Sequence, residues 1–229
     1  MSNNEETSIT LEGDWTLPET EPVINAWFSA LAIEHKLPDF IRYMDGMSGK
    51  KYRYFINNLI GSLKDPRYLE IGSWKGSTAC SAMWDNFCRV LCIENWSHFG
   101  GPKNEFQQNV NASLSGNIKF DFIESNYRDV DYSKIGKFNV YLFDGPHEEH
   151  EQFHGIEVTQ PALDDTYILI VDDWNWNSVR KGTMDAISNL NSTILASIVI
   201  RTTDNESHPQ ISGQNSDWHN GYFIGVIKK

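Results

Sequence analysis

The sequence has few cysteines, few basic residues and no long hydrophobic run. Its three cysteines are Cys80, Cys88 and Cys92. Their odd number and close spacing argue against a disulfide framework and indicate reduced, buried thiols in a cytoplasmic protein. No apolar run approaches the roughly 18 residues that cross a bilayer. The polar, acidic start, MSNNEETSIT, lacks the basic and apolar regions of a secretory signal.

Basic residues are outnumbered by acidic ones, 19 to 31, which gives a formal net charge of −12 at pH 7. A surface of that sign repels phosphate backbones and anionic lipids. We therefore expect no nucleic-acid partner and no membrane partner, and association into homo-oligomers stays open. Hydrophobic residues make up 40% of the chain, which is enough for a substantial core at this length and excludes general disorder.

Short apolar runs alternate with segments of helical periodicity from residue 67 onward. The runs lie at 68–71, 90–93, 118–123, 138–143, 167–171, 194–200 and 221–227, and the helical segments at 77–87, 103–112, 148–158 and 179–190. This alternation predicts an α/β fold of the Rossmann-like, doubly wound type, with a mostly parallel seven-stranded sheet between helices. Only the polar loop 204–220 separates the last two runs, so the last strand is expected to be antiparallel and to pair at one edge.

The region before residue 63 does not show this alternation of apolar runs and helical segments. Its amphipathic pieces between residues 21 and 62 are interrupted at Pro38 and at Asp45-Gly46. We expect residues 1–62 to form a loose tail of about a dozen residues followed by a helical cap, and residues 63–229 to form the α/β domain. The long loop 204–220 and the cap are expected to form a lid over a ligand site.

A glycine loop follows the first of the apolar runs. Residues 68–78 read YLEIGSWKGST, so the acid Glu70 precedes a loop bounded by Gly72 and Gly76. Glycine allows a sharp turn and a close approach of backbone to ligand, and a helix start offers free N–H groups to an anion. The dinucleotide fingerprint fails, because Trp74 and Ser77 occupy its third and sixth positions. An ordinary strand-turn-helix with two structural glycines is the alternative.

The second run ends in Glu94, Asn95 and Trp96. A carboxylate at this place can accept hydrogen bonds from both hydroxyls of a ribose, which suits a nucleoside cofactor. Trp96 is suited either to flank an adenine or to pack against a helix.

The pattern Glu70-x-Gly72-x-x-x-Gly76 resembles the first motif of the class I S-adenosylmethionine-dependent methyltransferases. The resemblance implies that Glu70 helps to hold the methionine amino group, that the glycines make room for S-adenosyl-L-methionine, and that a residue near Asn126 contacts the adenine. Residues 63–229 are then the methyltransferase domain. The expected cofactor-binding residues are Glu70, Gly72, Ser73, Gly76, Ser77, Glu94, Asn95, Trp96, Asn126 and Asp144.

Three aspartates follow two runs that are expected to be neighbouring strands, namely Asp144, Asp172 and Asp173. Uncompensated carboxylates at one rim of a sheet repel one another and raise each other's pKa values. A hard divalent cation such as Mg²⁺ prefers oxygen ligands and would relieve that repulsion. Helix capping and turn formation are the structural alternatives for Asp172 and Asp173.

The segments Asp144-Gly-Pro-His147 and Val171-Asp-Asp-Trp174 resemble the metal-dependent small-molecule O-methyltransferases, namely the macrocin and aminocoumarin sugar O-methyltransferase branch and the catechol type. The resemblance implies a bound divalent cation, with Mg²⁺ expected, and a hydroxyl acceptor on a sugar, phenol or natural product. Asp144 and His147 are the expected catalytic residues, since a histidine can act as general base toward a hydroxyl. Lys75 and Arg180 are candidates for holding an anionic substrate.

Other functions stay open at this point. The same fold could serve as a metal-binding scaffold without turnover, or as a metal-dependent hydroxylase or hydrolase. A nicotinamide-dependent oxidoreductase is a further alternative, although the glycine pattern argues against it.

Overall fold

The structure is a computed structural model and describes residues 7–229. These residues form eight strands and seven α-helices. The strands are β1 (Ser8–Gly13), β2 (Arg67–Ile71), β3 (Cys88–Glu94), β4 (Ile118–Glu124), β5 (Phe138–Phe143), β6 (Leu163–Asp172), β7 (Thr193–Arg201) and β8 (Tyr222–Lys228). The helices are α1 (Glu21–Leu31), α2 (Asp39–Arg42), α3 (Lys50–Ser62), α4 (Ser77–Met83), α5 (Lys103–Ser113), α6 (Glu149–Val158) and α7 (Asn177–Asn189).

The strands form one mixed sheet in the order β1-β7-β8-β6-β5-β2-β3-β4. Strands β4, β3, β2, β5 and β6 pair in parallel, whereas β8 is antiparallel to both β6 and β7. The Rossmann-like prediction and the antiparallel last strand are confirmed. The chain runs outward from β2 to β4 and then restarts on the other side of β2 at β5, so the crevice that binds ligands in such sheets lies at the carboxyl ends of β2 and β5.

One edge of the sheet differs from the prediction. Residues 8–13, expected within a loose tail, form β1 and pair antiparallel with β7, so the sheet has eight strands rather than seven. The antiparallel pair of β7 and β8 is consequently not at the edge, because β8 lies between β6 and β7 and β1 covers β7. Ile9 and Leu11 alternate with polar residues, but both are 40% exposed, so the signal for a strand was weak. Residues 1–6 of the expected tail lie outside the described range.

Helices cover both faces of the sheet. Alternate residues of a strand face opposite sides, so Tyr68 and Glu70 face the layer of α1, α3 and α4, while Leu69 and Ile71 belong to the other core. Residues 21–62 contain three helices, and the division into domains at residue 62 stays a prediction. Helix α4 is shorter than expected because the chain turns at Asp85, whose φ is +51°. Among residues 7–229 no helix is long and apolar enough to span a membrane.

Backbone contact between β2 and β5 is closest just beyond the strand ends. Gly72 has φ +88°, and a Cβ atom on it would lie 1.8 Å from the carbonyl oxygen of Asp144. Glycine is therefore required here for the two strand ends to lie side by side.

We expect Gly72→Ala to lower the free energy of unfolding by about 3 kcal/mol, the sum of a left-handed backbone and a steric clash. Urea denaturation measures the change. Gly100→Ala is the matched control, because Gly100 has φ +83° but no atom within 4 Å of its would-be Cβ, and it should cost about 1 kcal/mol. Equal losses for both variants would contradict the close approach of β2 and β5.

Candidate active site

A row of polar side chains crosses the sheet where the central strands end. The pairing of Phe143 with Val171 places Asp144 beside Asp172, and Asp172 pairs directly with Tyr222. Helix α3 covers this row, since the ring of Tyr52 stacks on that of Tyr222 with centroids 4.1 Å apart. Neither tyrosine hydroxyl has a hydrogen-bond partner among the described residues, although both are buried. The row is thus a buried polar surface with unused hydrogen-bonding groups.

Glu70 is the last residue but one of β2 and is fully buried. Its carboxylate accepts hydrogen bonds from the hydroxyls of Tyr68, at 2.5 Å, and Thr78, at 2.9 Å. Burial raises the pKa of Glu70 from 4.5 to about 7, although these hydrogen bonds oppose the shift. The acid therefore ties β2 to the start of α4, and its contact with a cofactor amino group stays a prediction.

Glu94 joins the glycine loop to the loop after β3. Its carboxylate accepts the backbone N–H groups of Trp74 at 3.0 Å, Asn95 at 2.8 Å and Trp96 at 2.7 Å. A carboxylate offers about four acceptor positions, so one remains for a ribose hydroxyl in this arrangement. The indole N–H of Trp96 donates to the carbonyl of Trp74 at 3.0 Å, and its ring packs edge-on against Phe106 of α5. Trp96 thus packs against a helix, and its contact with adenine stays a prediction.

The other expected cofactor residues have mixed surroundings. The Ser73 hydroxyl is buried without a partner, and the Ser77 hydroxyl lies 3.0 Å from that of Ser48. The amide oxygen of Asn95 accepts hydrogen bonds from Ser97, while that of Asn126 accepts the N–H of Arg128. Both asparagines shape turns here, and no described contact tests their roles toward a cofactor.

The aspartates do converge, with a histidine among them. Asp144, His147 and Asp173 offer ligand atoms that all lie within 4.8 Å of one another. The Nε2 atom of His147 is 2.7 Å from a carboxylate oxygen of Asp173, and Asn220 donates to the other oxygen at 2.6 Å. Asp172 stands outside this cluster, as expected for adjacent residues at a strand end, whose side chains point to opposite sides of the sheet. A metal site at Asp144, Asp172 and Asp173 stays a prediction.

These acids differ in their pKa values for identifiable reasons. Burial and then the charge of Asp173 raise the pKa of Asp144 well above its usual range. Burial and then the charges of Asp144 and Asp173 do the same for Asp172. Burial would also raise the pKa of Asp173, but its contact with His147 outweighs burial and lowers it. Burial likewise opposes protonation of His147, but Asp173 raises the pKa of that imidazole.

A second group of possible metal ligands, Asp173, His208 and His219, lies beside the first. His219 is buried, and its Nδ1 atom accepts the N–H of Gly213 at 2.9 Å. Burial lowers the pKa of His219 to about 4, so the ring is neutral and carries its proton on Nε2. That N–H, 4.0 Å from Asp173, cannot serve as a metal ligand while Gly213 holds the other nitrogen.

Loop 204–220 packs against the helical cap. The carbonyl oxygens of Ser216 and Asp217 accept the N–H groups of Lys50 and Lys51, which lie at the start of α3. The ring of Trp218 also stacks on that of Trp27, with centroids 5.0 Å apart. The loop and the cap are therefore in direct contact, while their closing of an acceptor site stays a prediction.

Two cations proposed for substrate binding have partners in the fold. Lys75 pairs with Asp45 and Glu105, both at 2.7 Å. Arg180 donates to the carbonyl of Trp174 and pairs with Glu206 at 3.3 Å.

The site residues that sequence reasoning missed are Tyr52, Arg53, His219, Asn220 and Tyr222. None of them belongs to a motif, and only the unusual length of loop 204–220 pointed toward two of them.

Part of the chain is similar to a known protein family. Residues 69–174 match a family model described as a methyltransferase domain, and the matched span contains the glycine loop, Glu94 and all three aspartates. The matched residues form a methyltransferase domain. The predicted enzyme class is confirmed. Because the match ends at Trp174, it includes neither Tyr52 and Arg53 of the cap nor His219 of the loop. A search of curated proteins found no match.

Solved methyltransferases share the fold of this domain. The S-adenosylhomocysteine-bound methyltransferase PaMTH1 of Podospora anserina matches with TM-score 0.56 and 12% identity over 91% of this chain and 88% of that one. The O-methyltransferase TomG of Streptomyces achromogenes matches with TM-score 0.52 and 13% identity over 91% and 90%. PH1948 of Pyrococcus horikoshii, a candidate RNA methyltransferase, matches with TM-score 0.51 and 12% identity over 93% and 98%. At these identities the likeness shows the fold alone.

The raised pKa of Glu70 makes the stability of the methyltransferase depend on pH. A buried acid whose pKa is higher in the folded state stabilises the fold most below pH 4.5, and this contribution falls as pH rises through about 7. Compared with Glu70→Gln, the wild type should lose roughly 3 kcal/mol of unfolding free energy between pH 5 and pH 8. Chemical denaturation at both pH values measures this, with the exposed Glu19→Gln as control. Identical pH slopes for wild type and Glu70→Gln would contradict the shift.

Proposed function

We propose that this methyltransferase transfers the methyl group of S-adenosylmethionine to a hydroxyl oxygen of a small molecule, with a divalent cation bound beside the acceptor. The observation that carries the proposal is the convergence of Asp144, His147 and Asp173 at the end of the sheet where the glycine loop lies. The fold is also that of TomG, an O-methyltransferase found in complex with S-adenosylmethionine, and is compatible with the same reaction type.

The residues around the glycine loop suit S-adenosylmethionine. Glu94 retains an acceptor position for a ribose hydroxyl, and the buried Ser73 hydroxyl lacks a partner. Such an unused polar group inside a loop is what a bound polar ligand would satisfy. We propose that the cofactor contacts the residues expected from the sequence, namely Glu70, Gly72, Ser73, Gly76, Ser77, Glu94, Asn95, Trp96, Asn126 and Asp144.

The acidic rim suits a divalent cation. Carboxylate oxygens are the ligands that Mg²⁺ and Mn²⁺ prefer, and a positive charge would offset the repulsion between Asp144 and Asp172. Asp144, Asp172 and Asp173 would hold the ion, with His147 as an additional ligand. Such an ion lowers the pKa of a nearby hydroxyl group.

The chain itself supplies orientation. Methyl transfer from a sulfonium is an in-line displacement, and holding two reactants in line contributes up to about 7 to 11 kcal/mol in favourable cases. The buried hydroxyls of Tyr52 and Tyr222 are free to bond oxygens of the acceptor, and α3 covers them from water. Asp144 and Asp172 lie at the ends of the neighbouring strands β5 and β6, so the two carboxyl groups would be held in fixed positions relative to the acceptor oxygen.

A metal-independent reaction is the second candidate, and the contact between His147 and Asp173 favours it. At 2.7 Å, the carboxylate of Asp173 fixes the imidazole and stabilises its protonated form. His147 would then take the proton of the acceptor hydroxyl as general base, without a cation.

A small acceptor is favoured over RNA. The formal net charge of −12 and the buried carboxylates of the rim both repel a phosphate backbone. The fold shared with PH1948 carries no substrate information at 12% identity. Homo-oligomers and a cytoplasmic location remain compatible with this proposal.

Cofactor binding is tested by calorimetric titration with S-adenosylhomocysteine. We expect wild type to bind and Glu94→Gln to bind about tenfold more weakly, because the amide loses a charged acceptor toward the ribose and the loop N–H groups. Glu12→Gln, on edge strand β1, is the control and should bind as wild type does. Absence of binding to wild type, with binding of NADH instead, would replace the proposal with the oxidoreductase alternative.

The cation is tested by thermal unfolding with and without Mg²⁺. We expect Mg²⁺ to stabilise wild type but not Asp144→Asn, which lacks one anionic ligand; Asp121→Asn, exposed on β4, should respond as wild type does. Methyl transfer to catechol-like and vicinal-diol probes should then stop on chelation. Turnover that survives chelation but is lost in His147→Ala would overturn the metal-dependent form and support the general-base form. Metal binding without any demand for S-adenosylmethionine would support a hydrolase or hydroxylase.

A further inference from the structure

Arg53, on the first turn of α3, is fully buried. Its Nη1 atom donates to the carbonyl oxygens of Ile41 at 3.0 Å and Met44 at 2.8 Å. Its Nε atom donates to the Ser48 hydroxyl at 2.9 Å. These bonds hold the chain between α2 and α3 around the guanidinium group.

The remaining nitrogen of Arg53, Nη2, is buried and has no hydrogen-bond partner among the described residues. No carboxylate of residues 7–229 forms an ion pair with this arginine. Burial lowers its pKa to about 10, so the group is still positively charged at neutral pH. Buried charges in proteins are normally paired, and Lys75 and Arg180 in the same region have acidic partners. Arg53 therefore has an unused donor and an uncompensated charge, which together suit an anion.

The free nitrogen lies beside the glycine loop. A Cβ atom on Gly46 would be 3.1 Å from Nη2 of Arg53 and 2.3 Å from the hydroxyl oxygen of Ser77. The Ser48 hydroxyl links the two, since it accepts from Arg53 and lies 3.0 Å from the Ser77 hydroxyl. Ser77 directly follows Gly76, so the free guanidinium nitrogen and the Ser77 hydroxyl both lie beside Gly46, next to the expected cofactor loop.

We propose that Arg53, with the hydroxyls of Ser48 and Ser77, binds the carboxylate of the methionine part of S-adenosylmethionine. The inference rests on the proposed function and names the residues that select the amino-acid end of the cofactor. An α-amino acid is a zwitterion, and a buried acid, Glu70, and a buried cation, Arg53, are both linked to residues that follow the loop. Thr78 bonds to Glu70 while its neighbour Ser77 approaches Ser48, so both charges are anchored to consecutive residues.

The test compares two ligands by calorimetry. S-Adenosylhomocysteine carries the carboxylate, and its decarboxylated analogue keeps the ammonium but lacks the carboxylate. We expect wild type to prefer the first ligand by about tenfold, the typical effect of one charge-assisted contact. Arg53→Gln should abolish that preference and leave affinity for the decarboxylated analogue nearly unchanged. Arg89→Gln, an arginine of β3 remote from the site, should keep the preference.

A purely structural role for Arg53 predicts another result. Both ligands would then weaken in proportion, and the preference would survive in Arg53→Gln, which would overturn the proposal. Because Arg53 also holds residues 41–48, two variants that leave it intact provide an independent test. Ser48→Ala removes one hydroxyl, and Gly46→Ala places a methyl group against Nη2, so each should reduce the preference for the carboxylate.

The source of the carboxylate is distinguished by acetate, used alone as a probe in thermal unfolding. If wild type binds both adenosyl ligands equally while acetate stabilises it but not Arg53→Lys, the carboxylate belongs to the acceptor and the cofactor assignment is wrong. If wild type binds neither adenosyl ligand, the proposed function fails, and stabilisation by acetate still decides whether Arg53 binds a carboxylate. No effect of acetate and no ligand preference would overturn the site altogether.

Discussion

The burial of several carboxyl groups close together is the constraint on which the organisation of this site depends. Glu70, Asp144 and Asp172 lie on one face of three neighbouring strands, and burial raises the pKa of each. Parallel strands bring their carboxyl ends to the same edge, so the topology that creates a ligand crevice also gathers these acids. Neighbouring positive or hydrogen-bonding groups must offset the cost, and the surrounding side chains are arranged accordingly.

The compensation divides into two sides. On one side, Asp173 pairs with His147 and accepts a hydrogen bond from Asn220. Its pKa is therefore lowered rather than raised. On the other, the hydroxyls of Tyr68 and Thr78 bond to Glu70. Asp144 and Asp172 receive the least help, and their pKa values lie well above the usual range.

The sequence predicted the parallel strands well, because each is a short apolar run bounded by turn residues. The run at 138–143 coincides with β5, and both acids of the glycine-loop region lie at strand ends as expected. It could not predict β1, whose exposed side chains alternate too weakly. It also could not place Tyr52, Arg53 or His219, since these side chains reach the site only through the packing of α3 and of loop 204–220. Asp172 and Asp173 were grouped together because a sequence does not show which of two adjacent side chains joins Asp144 and His147.

The pairing of β1 with β7 has a topological consequence for the cap. The cap helices begin after a strand that is hydrogen-bonded into the sheet and end with α3, which packs with α1 and α4 on one face of the central strands. The cap is therefore held at both ends, by β1 and by α3. If it moved away as a rigid unit, several hydrogen bonds of the sheet would have to break at once. Exchange of ligands is therefore expected to depend on local rearrangement between the turn at Gly46 and residues 213–219, while the rest of the enclosure stays in place.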